Sequence, residues 1–230
     1  MQPGNLALRF CLQTGIWFAV MAALVLGGAG SWRWPQGWAF LGIFAIGSGV
    51  FGVWLLKHDP ALLASRLGSV SQPGQPLWDK LFLLFFMTLW LGWLWLMGRD
   101  AQVWHLSNLP LWLNIVGGLM LTAGFFAVAR VFQENSFAAP VIRVQSERAQ
   151  QVIDTGPYAW VRHPMYAGAL LYMFGTPLLL GSWLGLVVSC LMVIGLARRA
   201  VLEEQMLRRD LAGYDQYMTR VRFRLIPGIW

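Results

Sequence analysis

"PMYAGALLYMFGTPLLLGSWLGLVVSCLMVIGLA" fills residues 164–197, 34 positions without a charged side chain. One helix of that length would measure about 51 Å, against a hydrocarbon core of about 30 Å. Pro177, Gly181 and Ser182 fall near its middle, within "TPLLLGSWLG" (176–185). Pro and Gly are the strongest local breakers of regular structure. The run therefore reads as a hairpin of two short helices, roughly 165–180 and 183–198.

Four more uncharged runs precede it, at 10–32, 34–56, 81–98 and 101–129. A helix spanning a bilayer needs about 20 mainly apolar residues. Six spans follow, near 10–30, 35–56, 80–98, 110–129, 165–180 and 183–198. The fold class is all-α, a polytopic transmembrane helix bundle. Composition agrees, with 57% hydrophobic and only 12% charged residues, about half the charge of a soluble domain. The first apolar run is too long for a signal-peptide core and lacks a clear cleavage site, so no cleavable signal is expected. Fourteen Trp suit anchoring at the membrane interfaces.

Charge distribution tests the span count. With six spans and the N-terminus inside, fifteen of the seventeen Lys and Arg fall on the inner side, and only Arg33 and Arg99 outside. Replacing the hairpin by one span changes the split to 8 against 9. The positive-inside rule selects six spans with both termini cytoplasmic. The net charge of +7 is then a matter of topology, and no nucleic-acid partner is expected. The same count places 131–164 and 198–230 together at the inner surface. Residues 1–130 read as four N-terminal spans, and 131–230 as a C-terminal cofactor-binding region containing the hairpin 165–198.

Several chemistries lack their residues. Cys11 and Cys190 lie in apolar segments and suggest neither a disulfide framework nor a metal motif. His58, His105 and His163 have no paired ligand spacing, so no metal site is expected. No strand–Gly-x-Gly-x-x-Gly–helix unit is present. The loop 57–80 reads as a short interfacial helix around "ALLASRL" followed by a turn at "SQPGQP". The tail 198–219 reads as an amphipathic helix with Leu207, Leu211, Tyr214 and Met218 on one face. Beyond it, the alternating Arg220, Arg222 and Arg224 read as lipid-facing or solvated charge without a catalytic role, and "IPG" as the end of order.

Three polar clusters flank the last spans: "FQENSFAAPVIRVQ" (132–145), "GPYAWVRHPMYAG" (156–168) and "RRAVLEEQMLRRD" (198–210). In the second, Gly156-Pro157 is a turn signal and Pro164 suits the first turn of a helix. His163 then sits at the helix start, where free N–H groups and Arg162 could hold an anionic cofactor group. The bland alternative is a snorkelling Arg beside a capping His, and this segment alone favours it. In the third cluster, Arg199 with Glu203 and Glu204 with Arg208 have i,i+4 spacing, which on a helix surface contributes about 0.3–0.5 kcal/mol per pair. Adjacent acids where a span meets the interface are less routine, because burying either requires a cationic partner.

Together the clusters resemble the isoprenylcysteine carboxyl methyltransferase family. "TGPYAWVRHPMYAG" (155–168), a short hairpin and then "RAVLEEQML" (199–207) supply the Gly-Pro-Tyr, Arg-His-Pro-x-Tyr-x-Gly and Arg-x-x-x-Glu-Glu elements in order, with "NSF" and "VIRVQ" upstream. The resemblance covers roughly 130–228. At "LAGYDQY" (211–217) the chain departs from the Phe-Gly that often precedes the family's tail tyrosines. The resemblance implies a membrane helix bundle whose C-terminal part binds S-adenosylmethionine. It implies that Gln145, Tyr158, His163, Pro164, Tyr166 and Glu203 line the cofactor pocket. Gly156, Arg162 and Gly168 would help to shape it. Arg199 and Glu204 would lie at the reacting centre, with Glu204 fixing the Arg199 guanidinium or taking an acceptor proton.

The function implied is methyl transfer from S-adenosylmethionine to a lipid or other lipophilic small molecule. The family's isoprenylcysteine carboxylate is one acceptor, and a phospholipid amine, a small thiol or a lipophilic acid stay open. A bacterial inner membrane or an endoplasmic reticulum membrane with the site facing the cytosol suits the topology. Two rival readings remain, an NADPH-dependent reductase of the sterol-reductase type and a non-catalytic scaffold of the same fold.

Overall fold

The computed structural model describes residues 3–69 and 71–230. These form eight α-helices: α1 (Pro3–Ala29), α2 (Pro35–His58), α3 (Pro60–Arg66), α4 (Leu77–Arg99), α5 (Leu111–Glu134), α6 (Pro164–Leu180), α7 (Trp183–Asp210) and α8 (Tyr214–Arg220). No strand occurs among the described residues. Five helical stretches are long and apolar enough to cross a membrane, and α6 is a shorter apolar helix, giving the polytopic bundle expected from the uncharged runs. Large apolar side chains such as Ile46, Leu84, Phe126 and Ile194 are exposed along these helices. A soluble surface avoids patches of that extent, whereas a bilayer-facing one consists of them.

Local chemistry sets the boundaries. Pro35, Pro60 and Pro164 each open a helix, at the position where a missing N–H costs nothing. Asp59 caps α3 by accepting from Leu62 N at 2.9 Å. The hairpin breaks at Gly181, in the left-handed region (φ 78°), and Ser182 caps α7 by accepting from Gly185 N at 2.9 Å. Pro177 sits inside α6 rather than at the break. Helices α5 and α6 pack closely because glycines face each other: a Cβ on Gly175 would come within 2.8 Å of the Gly117 carbonyl oxygen. Small residues of this kind let membrane helices approach backbone to backbone. Elsewhere Trp93, fully buried, donates from its indole to Gly185 O at 2.8 Å and ties α4 to α7.

Three expectations need correction. First, α4 continues past 98 as a π-helical turn, Asp100–Trp104. There the buried Asp100 accepts from the hydroxyls of Ser107 (2.6 Å) and Ser182 (2.5 Å), which gives the extra turn a polar partner. Second, the tail is not one helix over 198–219: α7, 28 residues and about 42 Å long, continues the last span into the tail only as far as Asp210. It carries the acidic pair out past the apolar zone, and the chain breaks only at Gly213 (φ 84°) before α8. Leu211, Tyr214, Tyr217 and Val221 pack together there with Leu207 and Met218, so the tail is two helical pieces folded on itself. Third, order does not end at "IPG". The amides of Arg162 and His163 donate to Phe223 O and Arg224 O, both at 2.9 Å, and Trp230 O accepts from Arg224 N at 2.8 Å. The alternating segment is a strap laid across the start of α6.

Candidate functional site

The end of α5, the start of α6 and the outer part of α7 meet at one end of the bundle, where α4 begins. Between α5 and α6 the chain makes two short 3-10 turns, Ser146–Arg148 and Gly156–Ala159. Gly156 takes φ 54°, and a Cβ there would meet the Glu134 side chain at 2.5 Å. The loop thus folds under the start of α6 and closes a pocket against α7. The space measures about 790 Å³ with the open solvent at its mouth included, and Asn135, Tyr158, His163, Tyr166, Glu203 and Tyr214 contribute polar groups to its lining.

Two ionic networks hold this end together. In the first, the buried Arg199 donates from Nε to Asp79 Oδ1 (2.9 Å), from Nη1 to the Tyr166 hydroxyl (2.8 Å) and from Nη2 to Pro140 O (2.9 Å). The Tyr166 hydroxyl donates to Glu203 Oε2 at 2.6 Å. A chain of bonds therefore runs from Asp79 on α4 to Glu203 at the pocket wall. In the second, the buried Glu204 accepts from Arg162 Nε at 2.6 Å, meets His163 Nε2 at 3.2 Å, and accepts from Arg224 Nε at 2.8 Å. Arg162 also donates to Val221 O and Arg222 O, both at 2.8 Å. The ring of His163 stacks on that of Tyr166, nearly parallel at 5.3 Å.

The residues singled out from sequence divide accordingly. Tyr158, Arg162, His163, Pro164, Tyr166 and Glu203 line the pocket. Gln145, Gly156 and Gly168 lie outside its wall. The buried Gln145 donates to Phe137 O at 2.8 Å and accepts from Arg148 at 2.9 Å, which fixes the loop. Gly168 faces α5, where a Cβ would lie 2.9 Å from a Val128 methyl. The expected pairing of Arg199 with Glu204 does not form. Arg199 takes Asp79, and both Glu204 oxygens are occupied by other cations. The i,i+4 pairs are also replaced, with Arg208 meeting Asp215 at 2.7 Å and Glu203 meeting Tyr166. At the start of α6 the amides of Arg162 and His163 are not free for an anion, because the strap carbonyls accept from them.

As site residues, Asp79, Arg224, Asn135 and Tyr214 escaped the sequence reading, which took Arg224 for lipid-facing or solvated charge and Tyr214 for one face of the tail helix. Asp79 did leave a signal, as an acid in the first turn of a span, where ionisable residues are rarely idle. Asn135 donates to the Tyr158 hydroxyl at 2.7 Å. Burial pushes that hydroxyl above the usual phenol range, while the Asn135 bond works against the shift. Among the described residues no group of three or more His, Cys, Asp or Glu is arranged to hold a metal ion.

Residues 112–212, from α5 to the end of α7, match the family model described as phospholipid methyltransferase. Protein-S-isoprenylcysteine O-methyltransferase B of Arabidopsis thaliana is 26% identical over 122 residues, covering 52% of this chain and 59% of that protein. Probable protein-S-isoprenylcysteine O-methyltransferases of Oryza sativa, subspecies indica and japonica, are also 26% identical, over 52% of this chain and 61% of theirs. The match thus spans about three fifths of the length of these curated relatives. In sequence, the stretch that builds most of the pocket matches the phospholipid methyltransferase model and is similar to the isoprenylcysteine O-methyltransferases.

Proposed function

We propose that this chain is an integral-membrane methyltransferase that takes a methyl group from S-adenosylmethionine and passes it to a lipophilic acceptor. The observation that carries this reading is the polar pocket at one end of an apolar bundle, built mostly from the stretch that matches the phospholipid methyltransferase model. The charge count favours the cytoplasmic face for that end, in a bacterial inner membrane or an endoplasmic reticulum membrane.

The pocket suits the donor chemically. Tyr158, Tyr166 and Tyr214 offer ring faces and edges for an adenine or a sulfonium. Glu203 is 24% exposed and presents a carboxylate to a cationic ligand group. When bound, the donor supplies an electrophilic methyl carbon, and an acceptor lone pair forms the new bond as the carbon–sulfur bond breaks. The protein's task is to align the two, and such positioning is able to supply roughly 7–11 kcal/mol of the barrier. Tyr158, His163, Pro164, Tyr166 and Glu203 would hold the donor. Arg199 uses three of its five N–H donors on Asp79, Tyr166 and Pro140. The remaining two would orient an acceptor carboxylate, or a phosphate beside an acceptor amine. Glu204 has neither oxygen free for a proton, so it serves as the anchor that ties the strap and Arg162 to α7.

Titration calorimetry of the detergent-purified protein with S-adenosylhomocysteine, repeated on His163→Ala, tests the donor site. Saturable binding weakened by the variant is the expected result, and absence of binding to the folded wild type would overturn the reading. Labelled methyl transfer to a prenylated cysteine and to phosphatidylethanolamine then identifies the acceptor. Arg199→Ala is expected to abolish transfer to the one that reacts.

A further inference from the structure

The chain has five tyrosines, and four of their hydroxyls have partners. Tyr158 accepts from Asn135, Tyr166 bonds Glu203 and Arg199, Tyr172 accepts from Trp90 and Tyr217 donates to Tyr158 O. Tyr214 is the exception. It is 5% exposed and lines the pocket, yet its hydroxyl is buried without any hydrogen-bond partner. A buried hydroxyl left unpaired carries its whole desolvation cost, so native structures keep few of them, and those few call for an explanation.

Two features make this one informative. A phenylalanine would fill the same space in the packed group of Leu211, Tyr217 and Val221 without that cost. The hydroxyl is also within electrostatic reach of the site. Burial first, then the Glu204 and Glu203 carboxylates, push it well above the usual phenol range, so it keeps its proton and stays a donor. Gly213, in the left-handed region at φ 84°, turns α8 so that Tyr214 meets the pocket, two positions past the stretch that matches the family model.

We infer that the Tyr214 hydroxyl is a ligand-binding group of this pocket, donating a hydrogen bond to an acceptor atom of the bound methyl donor. The inference rests on the methyltransferase reading and adds a contact to it. The bond forms only in the complex, so the hydroxyl strains the free protein and favours the liganded one.

The test is Tyr214→Phe in the full-length detergent-purified protein, with S-adenosylhomocysteine and methylthioadenosine as probes. Calorimetry should show binding of S-adenosylhomocysteine weakened about three- to tenfold, as expected for one neutral hydrogen bond. The unliganded Tm should be unchanged or raised, which a merely structural hydroxyl would not give. Equal weakening of methylthioadenosine assigns the bond to the nucleoside end, and weakening of S-adenosylhomocysteine alone assigns it to the amino-acid end. Wild-type affinity for both probes in the variant overturns the inference and leaves the donor site standing. A lowered unliganded Tm overturns it as well. If the wild type binds neither probe, the methyl-donor reading itself fails and the inference falls with it.

Discussion

Removing Asp79 should loosen the whole end of the bundle that carries the pocket. Asp79 is fully buried, and its carboxylate accepts three bonds: from Arg199 Nε at 2.9 Å, Gln75 Nε2 at 2.7 Å and Ile142 N at 3.0 Å. It lies in the first turn of α4, where the helix dipole also favours a negative charge. Asp79→Ala would leave the guanidinium of Arg199, itself 5% exposed, with only the neutral Tyr166 hydroxyl and Pro140 carbonyl. Breaking a buried pair from one side costs about 3–5 kcal/mol. The orphaned Ile142 amide adds about 1–3 kcal/mol, partly overlapping with the first loss. For a chain of this size 1 kcal/mol moves Tm by about 2–4 °C, so thermal unfolding followed by Trp fluorescence should fall by about 6–20 °C. The double variant Asp79→Leu with Arg199→Met removes both charges, and such exchanges are often neutral or stabilising. It should recover most of the lost Tm while remaining inactive. A drop of under about 3 °C for Asp79→Ala, or a double variant as unstable as the single, would refute the claim that this pair holds α4 against α7.

Two further outcomes follow from backbone geometry. Gly156→Ala should cost about 1–2 kcal/mol for the left-handed conformation and more for the clash with Glu134, whereas Gly74→Ala, with φ 77° and open space around it, should show the conformational cost alone. Comparing the two Tm values isolates the contact. Gly175→Leu should abolish folded yield, because its Cβ would press on the backbone of α5 at Gly117 and Leu121, while Gly42→Leu, with nothing within 4 Å, should be tolerated. Size-exclusion profiles in detergent read this directly.

The helices were legible because a bilayer imposes one rule on sequence, a long run without charge, and the hairpin was legible because 34 such residues exceed one crossing. The partners of the charged residues were not. Spacing along one helix offered Arg199–Glu203 and Glu204–Arg208, since neighbours three or four positions apart are the pairs a single helix can reveal. The actual partner of Arg199 is 120 positions away and that of Arg162 is 42 away. The long-range pairs prevail for a physical reason. Arg199 and Glu204 face inward on α7, where no water competes for them, so each must find a partner on a neighbouring element or remain unpaired at a large cost. Arg208 and Asp210 face outward, and their pairs with Asp215 and Arg209 are exposed ones that contribute little. The strap was misread on the same ground. Alternating Arg with apolar residues suits a lipid surface, but this segment also carries the backbone carbonyls that satisfy the Arg162 side chain and the two amides just before α6. Side-chain pattern says nothing of where a main-chain acceptor will be used. An inward-facing ion at a helix end is therefore the most useful mark a membrane sequence leaves. It shows that a partner exists, and in this chain the search for that partner leads from Arg199 on α7 to Asp79 in the first turn of α4.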